Sequence, residues 1–131
     1  MIRILLITIL ASLLFTEAVE LSVAYLMGIR SGPGLMLVFL MNLLTNPAVV
    51  LLSVLIPAHT PTGFPLWPVL LALELAAWAA EALICRKNSE VLKGACIIRL
   101  CGAAGPWLFS AILNLLSFSA GLLWDRLAAV L

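Results

Sequence analysis

The chain has 131 residues, of which 65% are apolar and 10% charged, and its mean hydropathy is +1.25. That composition excludes a soluble globular domain and describes a protein that crosses a membrane several times. Seven Arg and Lys against six Asp and Glu give a formal net charge of +1 with no basic stripe, which excludes nucleic acid as a partner.

The first apolar segment covers residues 4–27. Arg3 and the apolar run behind it imitate a secretory signal. The run continues past Glu17 and Glu20 to Met27, long enough to span a bilayer, with no convincing small-x-small cleavage site. Gly28 to Gly34 is rich in breakers and predicts a tight turn carrying Arg30. The second span covers residues 35–56. Inside it Asn46-Pro47-Ala48 spells the aquaporin triplet, by coincidence since that family uses two copies in a chain about twice as long. Pro47 is expected to kink this helix by stranding the carbonyl of Leu43, with Thr45 and Asn46 meeting the loosened backbone.

Pro57 to Pro65 predicts a short uncharged loop holding His59, the only histidine, as a solvated residue. The third span covers residues 66–85, with Pro68 in its first turn, where a missing N–H costs nothing. Arg86 to Lys93 is hydrophilic. Residues 94–105 are apolar but broken by Arg99 and Gly102, which predicts an interfacial segment or an extended helix start in place of a fifth span. The fourth span covers residues 106–124 and exits at Asp125 and Arg126. Trp67, Trp107 and Trp124 read as interfacial anchors, whereas Trp78 lies inside the third span and either lines a cavity or packs on a neighbour.

The expected fold is therefore all-α, a four-transmembrane-helix bundle forming one integral membrane domain over residues 1–131. Arg30, Arg86, Lys87, Lys93 and Arg99 fall on one side, against Arg3 and Arg126 on the other. The positive-inside rule then puts both basic turns in the cytoplasm and both termini outside, in what reads as a prokaryotic inner (plasma) membrane. Met41-Asn42-Leu43-Leu44-Thr45 echoes Leu113-Asn114-Leu115-Leu116-Ser117, and each follows a helix that bears Glu and ends in a basic residue. Two tandem helical hairpins are the candidate organisation, a theme of transporters whose sites lie between repeats.

Four glutamates, Glu17, Glu20, Glu74 and Glu81, lie within these spans. A carboxylate at the bilayer centre costs about 2.5–3.5 kcal/mol, so each is a functional-site hypothesis. Thirteen Leu, Ile, Phe and Val residues in the first span supply about 4–8 kcal/mol against roughly 6 for its two carboxylates, enough for insertion without much margin. Helical spacing groups the polar residues into stripes: Glu17 and Glu20; Asn42, Thr45 and Asn46; Glu74, Trp78 and Glu81; Ser110, Asn114, Ser117 and Gly121. By depth, Glu17, Asn46, Glu74 and Asn114 fall near the midplane, and Glu20, Asn42, Glu81 and Ser110 lie toward the cytoplasm. Converging on one axis, the stripes would form a polar cavity of Glu17, Glu20, Asn42, Thr45, Asn46, Glu74, Glu81, Asn114 and Ser117 for an ion or small substrate. Glu20 and Glu74 are the expected titrating groups, and Arg30 and Arg86 mark the cytoplasmic turns. The blander role for these groups is interhelical glue.

Catalysis is not expected. The chain has no Ser/His/Asp set, and it lacks the histidine motifs that membrane proteases of the CAAX type pair with their double glutamate. Cys85, Cys96 and Cys101 match neither zinc-ligand pairs nor a disulfide framework and read as small apolar fillers facing a reducing side, with a redox or metal role for Cys96 and Cys101 as the alternative. No cofactor and no metal set is expected, although four carboxylates are the oxygen ligands a hard cation would use, which keeps a metal-binding membrane enzyme as a third reading.

The pattern Glu20…Tyr25…Gly28-Ile29-Arg30…Asn42-Leu43-Leu44-Thr45-Asn46-Pro47…Glu74…Glu81…Asn114…Ser117-Phe118 resembles a group of small four-helix prokaryotic membrane proteins of unassigned function. The resemblance implies an architecture and no activity. By size the chain also invites analogy with small multidrug transporters, which carry a membrane-embedded Glu in the first of four helices, and with fluoride channels, whose Asn and Phe are echoed by Asn114 and Phe118 at a different spacing. The leading expectation is a homo-oligomeric transporter or channel for a proton, a cation or a small cationic solute. The second is a non-catalytic membrane subunit or assembly factor of a larger complex. Both have the lipid bilayer as partner.

Overall fold

The computed structural model describes residues 2–59 and 65–128, with side chains described as far as Gly121 except at positions 2, 4 and 58. Five α-helices make up the described chain: α1 Ile2–Leu26, α2 Gly32–His59, α3 Trp67–Lys87, α4 Cys96–Leu100 and α5 Gly105–Ala128, with a 3-10 turn at Gly102–Ala104. α1, α2, α3 and α5 are each long and apolar enough to cross a bilayer. The four-helix, all-α architecture is as the sequence implies.

Helix ends depart from the sequence reading for local reasons. α2 begins at Gly32, three residues before the expected start, because Ser31 caps it: the Gly34 amide donates to Ser31 Oγ at 3.2 Å. Pro33 fits this first turn since its absent N–H has no intrahelical partner to lose. At the other end α2 runs unbroken through Pro47 and Pro57 to His59, into the segment expected to be a loop. A helix satisfies its remaining backbone groups internally, which hydrocarbon favours strongly enough to carry it through proline. His59, exposed at the helix end, has Nδ1 2.8 Å from the Leu55 carbonyl oxygen. Most of the remaining loop to Pro65 lies outside the described residues, as do the side chains of Trp124, Asp125 and Arg126.

α3 takes Pro68 in its first turn as expected and ends two residues late at Lys87, placing Arg86 and Lys87 against the negative helix terminus. Asn88 closes it, its Nδ2 donating to the Ile84 carbonyl at 2.8 Å. The ambiguous segment 94–105 resolves into α4 and the 3-10 turn, too short to span and consistent with an interfacial reading.

The spans form a closed square. α1 packs on α2 and α5, and α3 packs on the same two helices, so each hairpin, α1/α2 and α3/α5, faces the other. The two connections meet at one end. Cys96 N donates to the Met27 carbonyl at 3.3 Å, and Ser31 Oγ approaches the Val91 carbonyl at 3.5 Å. Gly28, at φ 107°, lies so close to Gly94 that a Cβ on either would stand 2.5 Å from the other's carbonyl oxygen. Arg30, Arg86, Lys87, Lys93 and Arg99 therefore share one end of the bundle.

That end also holds the apolar core: Ala24, Val38, Met41, Cys85, Phe109 and Leu113 from the spans, with Ile29, Leu92, Ala95 and Ile98 from the connections. Cys85 is the buried filler the sequence suggests. Cys96 and Cys101 are exposed, so the filler reading does not hold for them; Cys96 opens the short α4 and Cys101 follows it, and about one and a half turns of helix have too few residues to bury both. Leu10, Leu14, Leu44, Leu71, Leu75 and Leu115 point outward, as side chains do when the solvent is lipid.

The Gly28–Gly94 contact predicts that Gly94→Ala lowers thermal stability in detergent by about 1–3 kcal/mol, the usual cost of overpacking. Gly32→Ala, with nothing within 4 Å of the added Cβ, leaves the unfolding midpoint unchanged in the same assay.

Candidate functional site

Above the apolar core the centre of the square turns polar. A cavity of about 220 Å³ is walled by all four spans. Its deep end lies at Glu20, Asn42 and Glu81, and its far end at Ser12, Val50, Glu74 and Gly121, roughly two helical turns or about 12 Å away along the axis. The far end is the one that carries the helix ends remote from the connections. The loop end is sealed by the packed Val38, Met41, Cys85, Phe109 and Leu113.

Glu81, 1% exposed, is the centre of the network. Its Oε1 is 2.7 Å from Thr45 Oγ1 on α2, and its Oε2 accepts from Ser110 Oγ at 3.3 Å and from Asn114 Nδ2, both on α5. Asn114 is itself steered by a bond from Nδ2 to the Ser110 carbonyl at 3.0 Å. Glu20, 2% exposed, meets Ser117 Oγ at 3.0 Å. The echo between α2 and α5 acquires a geometry here. Thr45 of the first hairpin serves Glu81 of the second, and Ser117 of the second serves Glu20 of the first.

Each hydroxyl in this network has a second acceptor for its single hydrogen. Thr45 Oγ1 is 3.1 Å from the Met41 carbonyl, Ser117 Oγ is 3.1 Å from that of Asn114, and Ser110 Oγ is 3.3 Å from that of Trp78. A hydroxyl donates one hydrogen and accepts on its lone pairs. Facing a carboxylate, Thr45 and Ser117 donate to it; facing a carboxylic acid, each accepts a hydrogen bond from the acid O–H and turns its own hydrogen to the backbone. Both protonation states of Glu20 and Glu81 keep a hydrogen bond to the hydroxyl.

The remaining sequence candidates divide. Glu74 is partly buried and lines the cavity. Glu17, 6% exposed, faces Asn42 but is not part of the wall; neither of its oxygens, nor Asn42 Nδ2, nor Glu20 Oε2, closes a hydrogen bond. Asn46 bonds across to α1 in place of its own backbone, donating to Thr16 Oγ1 at 2.9 Å and accepting from Ser12 Oγ at 3.3 Å. The two depth layers are not separate, since Asn114 and Glu81 bond directly. Ala77, not Trp78, lines the cavity on α3. Trp78 packs edge-on against Trp107 with ring centroids 5.6 Å apart and donates its Nε1 hydrogen to the Trp107 carbonyl at 3.1 Å, so Trp107 supports the helix pair in addition to any anchoring role. Arg30 and Arg86 stand at the loop end, outside the cavity, and Arg30 lies over the Tyr25 ring at 5.5 Å.

Sequence reasoning missed Ser12 and Thr16. With Glu20 they follow i, i+4, i+8, the signal that would have found them. Among the described residues no three His, Cys, Asp or Glu side chains are grouped to hold a metal ion.

Thr45→Val removes the hydroxyl that Glu81 meets and is expected to lower stability in mixed micelles by about 0.6–2 kcal/mol, the range for interhelical polar contacts in membranes. Thr45→Ser restores most of it, as reversible unfolding of the three proteins will show. Comparison of the chain with protein-family models, with curated proteins and with solved structures finds no match.

Proposed function

We propose that this protein moves a proton, or a small cation exchanged for one, through the Glu20–Glu81 cavity. The observation that carries the reading is the double acceptor set of Thr45, Ser110 and Ser117. Groups that only glue helices need one bonding state, whereas a proton carrier needs two of similar energy. Intramembrane carboxyls marking ion routes are the common case. Glu20 and Asn42 line the deep end of the cavity, and Glu20 Oε2 and Asn42 Nδ2 close no hydrogen bond within the described chain.

Cavity size narrows the solute. About 220 Å³ is below the ~300–1,000 Å³ of pockets for drug-sized ligands and suits an ion with a few waters. This argues against the small-multidrug analogy. It also moves the expected titrating pair from Glu20 and Glu74 to Glu20 and Glu81, because Glu81 collects the hydroxyl and amide partners while Glu74 sits at the far end of the wall.

The test is proton flux into liposomes driven by a potassium diffusion potential. Glu20→Gln with Glu81→Gln is expected to reduce flux about tenfold or more, as removal of an obligatory proton carrier does, while Glu90→Gln at the exposed surface leaves it unchanged. Wild-type flux no greater than that of empty liposomes, or equal flux from the double variant, sinks the reading.

A further inference from the structure

A second cavity, of about 610 Å³, lies at the loop end and is lined by Arg86, Ser89, Lys93, Arg99, Gly102 and Pro106 among others. Three of its wall residues are cationic and none is acidic. Among the described residues the only ion pair joins Lys93 to Glu90, both exposed, so neither Arg86 nor Arg99 has a carboxylate partner there. Three different segments bring the cations together: Arg86 from the last turn of α3, Lys93 from the turns after it and Arg99 from α4. Like charges gathered on separate segments repel, and an anion between them is what relieves the repulsion.

The position adds to the charge. Span three ends at Lys87 and span four begins at Gly102, so the cavity wall lies where hydrocarbon gives way to headgroups. α5 presents its first turn at Pro106, adding the positive end of a 24-residue helix dipole. Two guanidinium groups match a tetrahedral phosphate better than a planar carboxylate can use them, since each offers a fork of parallel donors. Leu100, 76% exposed, adjoins Arg99 and places an apolar side chain beside the cations.

The geometry points to a binding site for a phosphate-bearing anion, held by Arg86 and Arg99 in a wall that also contains Lys93, itself paired with Glu90. Two sources supply that chemistry at this depth: the headgroup of an anionic phospholipid and free inorganic phosphate. Basic cavities between helix ends on the positively biased side are places where anionic lipid headgroups bind. The site is independent of the carboxyl cavity, from which it is separated by the apolar core.

The test titrates the purified protein in neutral detergent with phosphatidylglycerol, phosphatidylcholine or inorganic phosphate and follows the thermal unfolding midpoint. Phosphatidylglycerol is expected to raise the midpoint saturably and phosphatidylcholine to leave it unchanged. Arg86→Gln with Arg99→Gln binds about tenfold more weakly or worse, given roughly 1 kcal/mol per basic residue near an anionic surface. Lys87→Gln, at the same end but outside the wall, binds as the wild type does. A saturable shift from inorganic phosphate that the double variant loses identifies the free anion as the source. The proposal is overturned if neither anion acts beyond phosphatidylcholine, or if the double variant, folded with a wild-type midpoint in detergent alone, responds as the wild type does. Arg99→Gln alone repeats the comparison should the double variant not fold.

Discussion

A carboxyl group turned toward hydrocarbon has no water to bond, so a helix that carries one gains from a partner on another helix. Glu20 and Glu81 impose that constraint here, and the square of four spans is the arrangement that meets it twice. Glu81 on α3 reaches α2 through Thr45 and α5 through Ser110 and Asn114. Glu20 on α1 reaches α5 through Ser117. These bonds tie α2 and α5 to the same interior and orient every span about its own axis. Since one residue turns a helix by about 100°, a one-residue rotation of any span would carry its stripe into lipid and leave the partner carboxyl unbonded.

Much of this was legible in the amino-acid order. Hydropathy and breakers report directly on membrane insertion, so four spans, two basic turns at one end and four polar stripes follow from residue type alone. The boundaries were less legible because they depend on caps and continuations: Ser31 starts α2 early, and the helix persists through Pro57. Ranking the glutamates was out of reach. Glu74 and Glu81 are two turns apart on one face, and only the register between α3 and α5 decides which of them stands level with Ser110 and Asn114. On α1, the pair of carboxyls at Glu17 and Glu20 drew the stripe about 60° away from the polar part of the true wall, which is Ser12, Thr16 and Glu20 beside Phe15.

The two ends of the bundle have opposite chemistry. From the level of Glu20 and Glu81 toward the termini hydroxyls, amides and carboxyls line the interior beside apolar Phe15, Val49, Val50 and Phe118. Toward the connections it is filled by Val38, Met41, Cys85, Phe109 and Leu113, beyond which stand the cations. Any solute held between the carboxyls meets a dry barrier on the loop side only. Within it Met41 and Cys85 touch sulfur to sulfur at 3.5 Å, an adaptable pair because the thioether is flexible and polarizable. The glycine contact between Gly28 and Gly94 closes the same end from outside the span region.

The crossed service of hydroxyls to carboxyls has a consequence for how the protein is made. As the ribosome delivers α1 and α2 to the insertion machinery, Glu20 enters lipid well before its acceptor-donor partner exists, since Ser117 follows 97 positions later in the chain. Thr45 likewise waits for Glu81. Neither hairpin is a finished product on its own, and each exposes a polar stripe that lipid rejects until the other arrives. Docking of one hairpin on the other is thus what pairs both sets of polar groups.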